Sequence, residues 1–233
     1  MNAVLQCEFW AVGQGLFSSG KILSGGNTAF SWVYDCGSVK KSRSHLMSSI
    51  KKMRSCYSDK IDLVVLSHFD EDHISGVEEL LKNKQVKYLV IPYFPLWKRL
   101  IIALEQNISV NNKLFSFYLN PVEYIYQQCK DILEESNSHI LLLQTVDDID
   151  FPITYKTEME DDIERETEIL LNDIISPTKY PVKLLPKGWV LIKEGIEFVF
   201  YNAPLLELKK YPKDWDRFRE DIDNIINLSL IHI

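Results

Sequence analysis

"LSHFDEDHISG", residues 66–76, sets two histidines and three acidic residues into six consecutive positions directly after an apolar run. Two readings compete for it: a metal-binding catalytic loop, or a solvated acidic turn that happens to hold two imidazoles. Its neighbours bear on the choice. "DLVVLS", residues 62–67, is a continuous apolar run of strand length, and after the loop Val77, Leu80 and Leu81 of "GVEELLKN" share one helical face. "VKYLVIP", residues 86–92, is strand-like again and is stopped by Pro92. Strand, loop, helix and strand in this order describe a βαβ unit with buried parallel strands, and place the loop at the carboxyl end of a strand, where open α/β folds hold ligands.

The 233-residue chain, 46% hydrophobic, is long enough to bury one large domain. Its 26 Lys and Arg against 33 Asp and Glu give a formal charge of −7, which disfavours a broad nucleic-acid footprint or adhesion to anionic membrane. The four cysteines, Cys7, Cys36, Cys56 and Cys129, form no CxxC pair and suggest neither a disulfide framework nor a cysteine zinc site. The N-terminus lacks the pattern of a signal peptide and no run approaches the length of a membrane span, so the expected setting is the cytoplasm.

Upstream of the loop, residues 3–12 and 28–35 read as strands separated by the glycine-bearing "GQGLFSSGKILSGGN". Leu46, Ile50 and Met53 then fall at helical spacing, with Ser42 or Ser44 as N-cap. Residues 95–180 read as a helical insertion: Val122, Ile125, Tyr126, Cys129, Ile132 and Leu133 form one stripe, and an acid run spans Glu158 to Glu168. That insertion offers a surface for a protein partner, although a solvated helix face is the blander explanation. "PVKLLPKGWVLIKEGIEFVFYNAP" returns to short strands with Lys-Gly and Glu-Gly turns.

Residues two apart in an extended segment project to the same side, so His68 and Asp70 can grip one cation, while Asp72 and His73, turning onto the next helix, can grip a second. Imidazole nitrogen and carboxylate oxygen are suitable zinc ligands, and two ions about 3.5–4 Å apart can share a hydroxide and clamp an in-line displacement. The spacing suits a binuclear hydrolase.

Taken together, "VGQGLFSSG", "FSWVYDCGS" and "LVVLSHFDEDHISGV" resemble the metallo-β-lactamase fold superfamily, and specifically its ComEC-like branch, whose core motif reads S/T-H-x-D-x-D-H-x-x-G. The resemblance covers residues 3 to about 94 well and 182–233 more loosely. It implies an α/β fold, the αββα sandwich, with His68 and Asp70 ligating one metal and Asp72 and His73 the other. Asp72 is the residue expected to carry catalysis. Asp35, closing the strand "WVYD", matches the family's first motif aspartate, which orients the metal loop. Gly13, Gln14 and Gly15 match an early glycine turn near the site; a simple tight turn also explains them. Asp70 stands where most of the superfamily has histidine, and the resulting oxygen-rich site makes manganese a rival to zinc.

The resemblance also calls for later ligands, a mid-fold His, an Asp after a later strand and a final His, and none stands in this chain in a family motif. His45, His139 and His232 are read as core or surface residues. The expectation is therefore a domain cut short, with its second sheet incomplete, an unpaired strand near Leu228–Ile233 and little turnover of its own. Two functions follow: a metal-dependent hydrolase, whose ComEC-like motifs favour phosphodiesters of nucleic acid or nucleotides, or a non-catalytic fragment whose insertion binds a partner.

Overall fold

The computed structural model describes residues 3–94, 96–127, 139–143, 182–185 and 190–200. Its main sheet has seven strands whose spatial order follows the chain. Three of them, β1 (Val4–Phe9), β2 (Phe17–Ser24) and β3 (Asn27–Cys36), form an antiparallel meander. From β3 the sheet continues in parallel through β4 (Lys60–Val65), β5 (Gln85–Pro92), β6 (His139–Leu143) and β7 (Val182–Leu185).

Alternation along these strands sends side chains into two separate cores. On one face Val33, Val64, Leu89, Ile91, Ile140 and Leu142 pack beneath helices. Helix α1 (Arg43–Cys56) buries Leu46, Ile50 and Met53, the positions its spacing predicts, and begins at Ser42, whose side chain makes no capping hydrogen bond. The expected βαβ unit is present: β4 leads through the short helices α2 (Glu71–Ile74) and α3 (Val77–Leu81) into β5. Helices α4 (Leu96–Glu105) and α5 (Phe115–Leu119), and a helical segment over 121–127, complete this layer. On the other face Ile22, Phe30, Leu63, Val90, Leu141 and Leu185 meet the hairpin of β8 (Val190–Lys193) and β9 (Ile196–Val199) through Leu191 and Phe198. Glu194 and Gly195, at φ of 49° and 79°, make its turn at the Glu-Gly pair. Helices over one face and a second small sheet against the other are consistent with a metallo-β-lactamase-like α/β sandwich; the second sheet has two strands among the described residues.

Two expectations need correcting. The glycine-bearing stretch before residue 28 is not merely a separator, because Phe17–Ser24 within it is a central strand of the meander. Gly20, one of the glycines of that stretch, lies under the Trp32 indole, against which any Cβ would collide. Nor is the segment 95–180 helical throughout: His139–Leu143 is a strand paired with β5, its isoleucine and three leucines buried in the sheet's interior. Parallel strands buried on both faces favour such unbroken apolar runs. The acid run Glu158–Glu168, the stripe beyond residue 127, the Lys-Gly turn, His232 and the strand near Leu228–Ile233 lie outside the described residues. No helix among the described residues is long and apolar enough to cross a membrane. Cys7, Cys36 and Cys56 are free thiols.

Candidate metal centre

The loop 66–76 leaves β4 at the carboxyl edge of the parallel strands. Leu66 N–H still donates to Val90 O (2.9 Å), the last rung before the chain departs from the sheet. Asp70 occupies the N-cap position of α2 with extended backbone (φ −71°, ψ 142°), but its side chain makes no capping bond, which leaves the carboxylate free to face the histidines.

Glycines hold the loop close to β3. A Cβ on Gly37 would collide with the backbone of Asp72 and His73, and one on Gly15 would lie 2.7 Å from Asp72 O. Gly15 also has φ +142°, a value few L side chains adopt. Leu16 N–H donates to Asp72 O (3.1 Å) and Gly76 N–H to Cys36 O (2.8 Å), pinning α2 at both ends. The turn at Gly13–Gly15 therefore abuts the histidine loop as well as reversing the chain.

Beneath the loop sits Asp35, fully buried and at φ 55°, a left-handed conformation that aspartate tolerates better than most residues. Its Oδ1 accepts from Ser67 N–H at 2.7 Å, and its Oδ2 from Ser67 Oγ at 2.6 Å and from His73 Nδ1 at 2.9 Å. A carboxylate only accepts, so these contacts fix the protons. His73 carries its proton on Nδ1. Ser67 spends its single hydroxyl proton on Asp35, so its oxygen accepts from His68 Nδ1–H at 2.7 Å. One buried carboxylate thus sets both imidazoles in the same tautomer, each presenting the Nε2 lone pair.

Those two Nε2 atoms face carboxylates. His68 Nε2 is 3.6 Å from Asp70 Oδ2, and His73 Nε2 is 3.8 Å from Asp72 Oδ1. The rings lie 3.7 Å apart between centroids. Donor atoms of His68, Asp70 and Asp72 come within 4.8 Å of one another, as do those of Asp35, His68 and His73. Asp35 belongs to the second group by distance but not by chemistry, since its oxygens already accept three hydrogen bonds. Side-chain exposure rises from 0% at Asp35 through 17% at His73 to 49% at Asp70, so the donors open outward from a closed base. Two nitrogen lone pairs held by tautomer and two partly exposed carboxylates fit a divalent cation.

Burial pushes the His68 pKa down, helped by the neighbouring His73 charge. Burial would also lower that of His73, but its hydrogen bond to Asp35 and the charges of Asp35, Asp72 and Asp70 outweigh it, and the net direction is up.

Three residues that the sequence reading did not single out shape this site. Ser67 stands next to His68 in the quoted motif and Gly37 follows Asp35 by two, so local signals for both existed. Gln106 carried none: it lies just past α4, and its Nε2 donates to Asp70 Oδ1 at 2.8 Å. His45 is exposed on α1 and His139 stacks on Tyr88 in the sheet, and neither belongs to the cluster.

Fold and site define a class, an α/β protein with a histidine-carboxylate centre at the carboxyl edge of its parallel strands. The model of the metallo-beta-lactamase superfamily matches residues 48–97, from within α1 through the histidine loop to the start of α4. Comparison with curated proteins returned no match. The superfamily match and the candidate ligand groups together point to a metal-dependent hydrolase.

Proposed function

We propose that the protein is a hydrolase of phosphodiester bonds, with divalent cations held by His68 and Asp70 and by Asp72 and His73 and with only slow turnover by the 233-residue chain itself. The observation that carries the reading is the shared tautomer: Asp35, directly and through Ser67, turns two Nε2 lone pairs toward two carboxylates at under 4 Å. Such cations, when bound, supply Lewis-acid activation and neutralise charge on phosphoryl oxygens. Asp35 keeps the imidazoles in the binding tautomer, and the glycine contacts hold Asp72 and His73 in register with them. Asp72, partly exposed on the first turn of α2, is the residue proposed to meet a reacting group as well as a cation, a reading its exposure permits. Phosphodiester over other substrates is supported by the resemblance of "VGQG" and "SHFDEDH" and by the oxygen-rich donor set, which suits hard cations paired with phosphate. Zinc and manganese are the proposed metals, and the cytoplasm the proposed setting.

The test is hydrolysis of a bis-aryl phosphodiester with Zn²⁺ or Mn²⁺ added. The expected outcome is slow hydrolysis that a chelator abolishes, with at least a tenfold loss in an Asp72→Ala, His73→Ala variant. A loss of less than tenfold in that variant would overturn the assignment.

A further inference from the structure

The flank of the loop away from Asp35 is held by a different part of the chain. Gln106, one residue beyond α4, makes contacts whose directions are forced. Its Nε2 meets Asp70 Oδ1 at 2.8 Å, and a carboxylate can only accept; its Oε1 meets Glu71 N–H at 2.7 Å, which can only donate. No flipped amide satisfies both. Behind it, the buried Tyr118 hydroxyl donates to Phe69 O at 2.6 Å and stands 3.2 Å from Gln106 Oε1. Burial, and then the charges of Asp70, Glu71 and Asp72, raise the Tyr118 pKa, so the hydroxyl keeps its proton. Arg99, buried in α4, donates to Tyr118 O (2.9 Å), Leu119 O (3.0 Å) and Phe94 O (2.9 Å), tying α5 to α4. Gln106 is therefore backed by a packed arm spanning residues 96–119. Nearly all of that arm lies beyond the residues 48–97 that the superfamily model matches.

We infer that Gln106 is a positioning residue for the metal centre: its side-chain amide ties down Asp70 Oδ1 so that only Oδ2 is presented, on the side of His68 Nε2. This rests on the proposed metal reading. Asp70 is about half exposed and sits at a helix start without a capping bond, so nothing else described fixes its rotation. Without the amide the carboxylate can swing into solvent or offer both oxygens at once. Either change alters the donor set at His68 and leaves Asp35, Ser67 and His73 in place. Partners that orient metal ligands in this way typically change metal affinity by about 10–100-fold when removed.

The test compares the parent chain with Gln106→Leu and Gln106→Glu. Zn²⁺ affinity is measured by competition with a chromophoric chelator, and Co²⁺ visible spectra report the donor set. Gln106→Leu removes every contact, whereas Gln106→Glu keeps an acceptor for the Glu71 amide and replaces the donor to Asp70 with a second carboxylate oxygen that repels it. With parent-like circular dichroism, both variants are expected to bind Zn²⁺ at least tenfold more weakly and to show an altered Co²⁺ spectrum. Gln106→Glu binding as tightly as the parent, with an unchanged spectrum, would assign the residue to the Glu71 amide alone and overturn the inference. Gln106→Leu within threefold of the parent would overturn it as well. A parent chain that binds no Zn²⁺ breaks the metal reading and this inference with it; parent binding with unaffected variants breaks only the inference.

Discussion

The histidine loop is held from two sides, and the sides are built differently. On the inner flank, β3 and its following turn provide Asp35 and Gly37, which engage Ser67 at the start of the loop: a buried carboxylate with all its contacts satisfied and backbone packed so closely that no Cβ fits. On the outer flank, the α4–α5 arm provides one amide, from Gln106, to a half-exposed carboxylate. The inner flank decides which nitrogen each imidazole presents, so its loss affects both halves of the centre. The outer flank orients a single oxygen pair, so its loss affects one half.

That asymmetry sets the order of the expected effects. Asp35→Ala strands the Ser67 N–H and hydroxyl and the His73 Nδ1–H in a buried place. It should destabilise the protein by about 3 kcal/mol in denaturant unfolding and lower Zn²⁺ affinity by more than about a hundredfold. Unchanged affinity would show that the tautomers are not set from β3. Ser67→Ala cuts only the relay to His68 and should cost about 1 kcal/mol and roughly tenfold in affinity, with the His73 contact intact. An effect as large as that of Asp35→Ala would contradict the separation of direct and relayed contacts.

The smallest effect expected is in pH. A proton and a metal compete for each Nε2, so binding is complete above the histidine pKa values and weakens as pH falls through them. His73 is raised above the ordinary 6.5 and His68 is lowered, so protonation reaches His73 first. Zn²⁺ affinity should begin to fall while the pH is still above 6.5, and the first proton should appear at His73 by NMR of the metal-free protein. Protonation of His68 first would reverse the roles given to the two rings.

Much of this was legible because it is local. The βαβ unit is written as two apolar runs around a short helical stripe, and four candidate ligands lie within six residues of one another. The strand Phe17–Ser24 was hidden because Gly20 signals a break unless its cover, Trp32, is known to stand across the ladder. His139–Leu143 was hidden because a run of four apolar residues fits a buried helix or a buried strand equally well, and only pairing with β5 decides. The same holds for Gln106, whose contact with Asp70 spans 36 residues of sequence and has no periodicity to announce it. Residues that bear donors to a cation carry their chemistry in their type; residues that orient them carry it only in their placement.

Everything proposed for the loop depends on His68, Asp70, Asp72 and His73 together holding divalent metal. Isothermal titration of Zn²⁺ and of Mn²⁺ into the parent chain and into a variant with all four replaced by alanine tests it most directly. The folded parent is expected to bind at least one equivalent, and the folded variant to bind a hundredfold or more weakly. Equal binding by the two proteins, or none by the parent with either metal, would contradict it.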